Sequence, residues 1–243
     1  MNRPLIIAHR GNSSVAPENT MLAFRSAVLA GADMIEIDVH VDRDGTAVVI
    51  HDDTVDRTTD GSGAVADLGT EQIRGLDAGV GFATETAGQR VPLLTDVVDL
   101  MVAHPHLRLL LELKGVWAPD QVQRMFEDLG PVLPRVLPQS FDVPTVRALA
   151  DVAPDVPRGL LVVTVDDEVS ALCAELAVAA CNPYVGFVQD DIGVVAKLHA
   201  AGLQTMVWTA NDPVQWRRLV DAGVDGVITD RPDRLAGWLD AQR

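Results

Sequence analysis

The stretch MIEIDVHV, Met34 to Val41, alternates acidic and apolar residues with the period of two expected of a β-strand. Glu36 and Asp38 therefore leave the strand on the same side, with Cα atoms roughly 6.7 Å apart. Met34, Ile35, Ile37, Val39 and Val41 surround them, so an exposed edge strand with two surface carboxylates is the weaker reading. Two carboxylates on one buried face repel each other and are costly without compensation. A divalent cation with oxygen ligands supplies it and draws the two side chains together.

Outward from this stretch, apolar strand-like runs alternate with amphipathic helical segments. Upstream, Leu5–His9 reads as a strand and residues 18–30 as a helix, with Pro17 before it and Gly31 as its stop signal. Downstream, Asp44-Gly45 marks a turn into a short return, Thr46–Ile50. Further strands are predicted at Arg108–Leu113, Val136–Phe141, Arg158–Val163, Tyr184–Val188, Gln204–Thr209 and Gly226–Thr229. Helices are predicted at Thr95–His104, Asp120–Leu129, Val143–Val152, Asp167–Ala180, Ile192–Ala201, Pro213–Ala222 and Asp233–Ala241. Thr95, Asp142, Asp166 and Asp212 stand where N-caps would, and Gly130, Gly202 and Gly223 where helices end. Eight βα units at this length predict a closed (β/α)8 TIM barrel in preference to an open doubly wound sheet. No G-x-G-x-x-G follows the first strand, which leaves the dinucleotide-binding form of the open sheet little support. Residues 54–92 break the rhythm with Gly, Thr and Asp, and read as a small insertion after the second strand, capping one 1–243 domain.

In such a barrel the functional groups gather at the C-terminal ends of the strands. His9 and Arg10 end the first, Glu36 and Asp38 lie toward the end of the second, and Glu112 and Lys114 end the third. His51 follows the short return directly. Histidines for proton transfer, an arginine for charge neutralisation and carboxylates for a cation are the equipment for attack on a phosphate diester. Taken alone, Glu112 and Lys114 would be a plain ion pair; three successive strand ends bearing charge favour a site.

With 19 Lys and Arg against 35 Asp and Glu, net charge is −16, which argues against nucleic acid or an anionic membrane surface as partner. A phosphate site must then be a local positive spot, and Arg10, Lys114 and a bound cation provide one. Cys173 and Cys181 have no metal-ligand spacing and read as free buried thiols. No apolar run is long enough to span a bilayer and no secretory leader is evident, so a cytoplasmic location is expected, without stable membrane association. The oligomeric state is left open.

HRG (His9–Gly11), PENT (Pro17–Thr20), IEIDVHVDRDG (Ile35–Gly45), VVIHDDTVDRTTDGSG (Val48–Gly63) and LELK (Leu111–Lys114) resemble the glycerophosphodiester phosphodiesterase family. QSF (Gln139–Phe141), VWTAND (Val207–Asp212) and VDGVITDRPD (Val224–Asp233) continue the resemblance in order to the end of the chain. The resemblance implies a TIM barrel with a small insertion after the second strand, and a glycerophosphodiester as the small-molecule substrate. It implies Mg²⁺ or Ca²⁺ held by Glu36, Asp38 and Glu112, with His9 and His51 as the acid–base pair. It further implies phosphate contacts from Arg10 and Lys114, with Trp208 lining a glycerol pocket. Asn19 reads equally as a helix cap or as a residue ordering the first loop, and Asp52, Asp53 and Arg57 as supports for His51 or its loop. One departure is Pro92-Leu93-Leu94-Thr95, where the family commonly has a Pro-Thr-Leu element. Two alternatives stand beside hydrolysis of a soluble diester: lysophospholipase D-like or sphingolipid phosphodiesterase activity, and a non-enzymatic phosphate-binding barrel. Whether water or the glycerol 2-hydroxyl attacks is left open, as is which histidine is acid and which base.

Overall fold

A computed structural model describes residues 3–242. Its strands are β1 (Leu5–His9), β2 (Met34–Val41), β3 (Ala47–Val49), β4 (Arg108–Leu113), β5 (Val136–Ser140), β6 (Gly159–Val162), β7 (Ala180–Pro183), β8 (Met206–Val207) and β9 (Gly226–Thr229). Its α-helices are α1 (Met21–Leu29), α2 (Thr70–Gly75), α3 (Leu94–Ala103), α4 (Pro119–Leu129), α5 (Val143–Val152), α6 (Asp167–Glu175), α7 (Val185–Asp190), α8 (Val194–Ala200), α9 (Pro213–Ala222) and α10 (Pro232–Asp240). Eight strands are parallel in the order β7-β6-β5-β4-β2-β1-β9-β8, and β3 turns back antiparallel on β2. Bridges Ala180–Gln204 and Tyr184–Trp208 join the two ends of that order, as the predicted TIM barrel requires.

The alternation in β2 explains its place. Met34 joins Ile7, Leu110, Leu137, Ala180, Met206 and Ile228 in an apolar layer across the barrel interior. Ile35, Ile37 and Val39 pack outward with Phe24, Val97 and Met101 of the surrounding helices. Glu36 and Asp38 continue the inward row of Met34 toward the C-terminal end, where His9 pairs in register with Glu36 and Asp38 with Glu112. With β1 on one side and β4 on the other, β2 is no edge strand.

Residues 54–92 wrap a small apolar cluster, Val55, Val65, Ile73, Ala78 and Val91, onto Val48 and Ile50. They carry α2 and two short 3-10 turns, Val65–Asp67 and Thr84–Thr86.

Several sequence expectations need correction. The sixth barrel strand is Ala180–Pro183 (β7), and Tyr184–Val188 lies largely in the short helix α7. The Ala-rich run after Glu175 reads as continued helix by propensity, yet α6 stops at its cap Leu176, and Ala177 turns with φ +47°. Ala180–Pro183 is buried throughout and packs between β6 and β8, so tertiary burial overrides propensity there. Helix α3 begins at Leu94, not Thr95: the Asp96 carboxylate accepts from the Leu93 N–H and performs the capping. Asp166 and Asp212 cap with their side chains as expected, whereas Asp142 holds the cap position without a side-chain bond. No helix among the described residues is long and apolar enough to cross a membrane.

Candidate active site

The chain reverses sharply after β1. Arg10 (φ +55°) and Gly11 (φ +83°) both adopt the left-handed region. A Cβ at Gly11 would also come within 2.7 Å of the Ala23 backbone, so glycine alone lets this loop lie against α1. The turn aims the Arg10 N–H at Glu36 Oε2 (2.9 Å) and sets its guanidinium against Glu18 (2.9 Å) and Asp38 Oδ2 (3.2 Å).

Glu36, Asp38 and Glu112 are buried, each offering one ligand oxygen within 4.8 Å of the others. Burial pushes the Glu36 carboxyl well above its ordinary range, and Asp38 and Glu112 push it further. Burial, then Asp38, push Glu112 up to about 7. Burial also opposes ionised Asp38, but Arg10 and Lys114 outweigh it and hold that carboxyl below its usual value. Asp38 Oδ1 has no hydrogen-bond partner among the described residues, and the nearest cation, Lys114 Nζ, is 3.6 Å away. Lys114 instead donates to Glu112 Oε1 at 2.7 Å. Three buried acidic oxygens, one of them orphaned, form a donor set that fits a hard divalent cation.

The coupling has a thermodynamic consequence. Glu36 and Glu112 bind protons more tightly folded than unfolded, so this contribution to stability is fully present below about pH 4.5. It is lost as pH rises through about 7, the folded Glu112 value. Metal-free protein is therefore expected to lose Tm between about pH 5 and pH 8, and added Mg²⁺ or Ca²⁺ to raise Tm more at the higher pH. Scanning calorimetry checks this; an equal shift at both pH values, or none, contradicts it.

Both sequence-selected histidines are gripped at Nδ1. His9 meets Asp230 Oδ1 at 2.6 Å, and His51 meets Asp52 Oδ1 at 2.7 Å. Ionised aspartates accept, so each Nδ1 carries the hydrogen and each Nε2 is left free to exchange a proton. Despite burial, the His9 hydrogen bond keeps Asp230 below the usual carboxylate range, while the Arg57 bonds do so for Asp52. Burial lowers the His51 pKa, although Asp38 and Asp52 pull the other way. Asn211 holds Asp230 in turn, with Nδ2 donating to Oδ2 at 2.6 Å.

His9, Arg10, Glu36, His51, Glu112, Lys114 and Trp208 all line one cavity of about 60 Å³, with Asp38 beneath them in contact with Arg10. The residues expected to do acid–base work, hold the cation and bind substrate are thus brought together. Trp208 forms the far wall, T-shaped against Phe141 (5.4 Å between centroids) and tilted against Tyr184 (5.2 Å). Asn19 is no cap: Thr20 caps α1, and Asn19, with φ +53°, donates from Nδ2 to Asp38 Oδ2 at 2.8 Å. His40 stays outside the cavity lining and bonds the His51 carbonyl at 3.0 Å. The sequence reading missed Asp230, Glu18 and Gln139. Asp230 and Glu18 lie inside quoted motifs (VITDRPD, PENT), and Gln139 opens QSF.

The model of the glycerophosphoryl diester phosphodiesterase family matches residues 9–234. The chain belongs to that family. A glycerophosphodiester phosphodiesterase of Caldanaerobacter subterraneus subsp. tengcongensis is 35% identical over 237 residues, 96% of either chain. Among solved structures, an Oleispira antarctica phosphodiesterase in complex with the product sn-glycerol-3-phosphate superposes with TM-score 0.88 at 28% identity, over 98% of this chain and 97% of that one. A glycerophosphodiester phosphodiesterase from Agrobacterium tumefaciens does so with TM-score 0.84 at 30% identity, over 97% and 100%. As in TIM-barrel enzymes generally, the cavity lies at the C-terminal ends of the barrel strands.

Proposed function

We propose that this family member hydrolyses glycerophosphodiesters to sn-glycerol 3-phosphate and an alcohol. The observation that carries the reading is the pair of aspartate-held histidines lining the same cavity as the buried carboxylate cluster. The product bound to the Oleispira relative supports the same choice of substrate.

In this reading Glu36, Asp38 and Glu112 would hold Mg²⁺ or Ca²⁺, both hard cations suited to an all-oxygen set. When bound, the cation supplies Lewis-acid neutralisation of the phosphate oxygens. Arg10 and Lys114 add positive charge on the same side, where it counts most as charge builds up in the transition state. One histidine takes a proton at Nε2 from the attacking hydroxyl, and the other gives one from Nε2 to the leaving alkoxide. Their aspartates keep each ring in the required tautomer and orientation. Trp208 presents a flat apolar wall to the carbon chain of the glycerol. The barrel acts as one domain, with residues 54–92 as a cap beside the His51 loop. A reducing compartment suits the free buried thiols of Cys173 and Cys181, so the proposal keeps the enzyme in the cytoplasm.

Incubation with glycerophosphocholine and glycerophosphoethanolamine in the presence of Mg²⁺ or Ca²⁺ is the test. Glycerol 3-phosphate and the free alcohol are expected; phosphocholine as the product would mean the other P–O bond breaks and would contradict the reading. Asn19→Ala is expected to weaken cation affinity about 10–100-fold, the usual effect of losing a partner that orients a ligand. Calorimetric titration checks it, and unchanged affinity would mean Asp38 is held without Asn19.

A further inference from the structure

One guanidinium ties the His51 loop to the loop after β1. Arg57 donates from Nε and Nη2 to the two oxygens of Asp52, at 2.6 and 3.0 Å. It donates from Nη1 and Nη2 to the two oxygens of Glu18, at 2.9 and 2.8 Å. Each carboxylate also grips one group in the cavity lining: Asp52 Oδ1 holds His51 Nδ1 at 2.7 Å, and Glu18 Oε1 holds Arg10 Nη1 at 2.9 Å. The chain His51–Asp52–Arg57–Glu18–Arg10 thus alternates in charge and crosses between loops far apart in sequence.

Nearly half of the Arg57 side chain (47%) is exposed, so these pairs are screened and add little to stability. Their geometry is what is specific. A planar fork fixes two carboxylates at once, which a lysine's point charge cannot do. Glu18 would otherwise spend its whole charge on Arg10, the cation meant for the phosphate. Shared with Arg57, it orients Arg10 while spending less of its charge on it.

We propose that Arg57 is a positioning residue that sets His51 and Arg10 together, so that proton transfer and phosphate binding depend on one side chain. The inference rests on the roles proposed above for His51 and Arg10. Among the described residues, Glu18 and Asp52 are bonded to each other only through Arg57. Arg57 is therefore the hydrogen-bonded route by which each can depend on the other.

The test is a kinetic double-mutant cycle on glycerophosphocholine with saturating cation. Glu18→Gln is expected mainly to raise KM and Asp52→Asn mainly to lower kcat, while Arg57→Met does both, each by about 10–100-fold. In the wild-type background the double variant E18Q/D52N should depart from the product of its singles by more than about 3-fold. In the R57M background the effects should simply multiply. Arg57→Lys should recover only part of the loss. Multiplicative effects in the wild-type background, an R57M variant that changes Tm but neither kinetic constant, or full recovery in R57K would each overturn the inference. If the wild type itself releases no glycerol 3-phosphate, the functional reading fails instead. The ¹⁵N shifts of the His51 ring in wild type and R57M then test the brace separately: a changed shift supports it, and identical shifts overturn it.

Discussion

His51→Ala is expected to lower kcat by about 10²–10⁴-fold while leaving the fold and cation affinity intact, the range typical of a lost general acid or base. The ring is half-buried in the cavity wall, not packed in the core, so its removal leaves no large apolar void. Its partners Asp52 and Arg57 remain bonded to each other at 2.6 Å, and the carboxylate cluster does not include it. His9→Ala is expected to behave alike, with Asp230 still held by Asn211 and Ser13. With the two histidines in one proton-transfer cycle, as proposed, the double variant should lose far less than the product of the single losses. Steady-state kinetics on glycerophosphocholine, with Tm and calorimetric Ca²⁺ binding measured on the same preparations, distinguish lost chemistry from lost structure. Near wild-type turnover in both single variants would remove the histidines from the mechanism.

The second large effect has opposite signs in activity and in stability. Glu112→Gln keeps the size of a buried side chain but deletes one of three crowded charges. Cation affinity should fall by more than about 10²-fold, beyond the usual effect of a partner outside the coordination sphere, and turnover should fall with it. Metal-free protein should become more stable above about pH 7, because Glu36 and Asp38 no longer face a third carboxylate that burial and Asp38 already hold up to about 7, while the amide oxygen in its place still accepts from Lys114. The same exchange of stability for function is expected of Glu36→Gln. Asp38→Asn is different: Asp38 is the carboxylate of the three that its surroundings hold ionised, and its loss leaves the buried Arg10 without the charge 3.2 Å away, so no gain is expected. Thermal unfolding in excess chelator, set beside turnover with added cation, measures both halves. A Glu112→Gln variant that keeps full activity would detach the cluster from catalysis.

Much of this site was legible because strand geometry is simple. In β2 a period of two puts Glu36 and Asp38 on one face whatever the neighbours are, and the apolar residues between them mark that face as interior. The barrel followed from regular βα alternation, and the cavity from where that fold gathers its strand ends. What could not be read needed side-chain partners from distant strands. Asp230 meets His9 across more than two hundred residues, and nothing local in VITDRPD says that it faces a histidine. Asn19 looked like a helix start because Asn is a good cap, but its side chain is drawn to Asp38 and Thr20 caps in its place. The misplaced sixth barrel strand has a different cause. Ala and Cys in the run AACNP carry little strand signal, and only packing between β6 and β8 makes them a strand.

The net charge of −16 acquires meaning at the cavity. Arg10 and Lys114 are both committed to carboxylates, so the protein side chains alone give a phosphate little net attraction. A cation on the three carboxylates reverses that balance locally, which makes metal dependence the central claim. The measurement that tests it most directly is glycerol 3-phosphate release from glycerophosphocholine by protein stripped with chelator, then titrated separately with Mg²⁺ and Ca²⁺. Turnover should be absent in excess chelator and return along a single-site saturation curve with at least one of the two ions. Undiminished turnover in excess chelator would contradict it, and would assign the carboxylate cluster a role other than holding a catalytic cation.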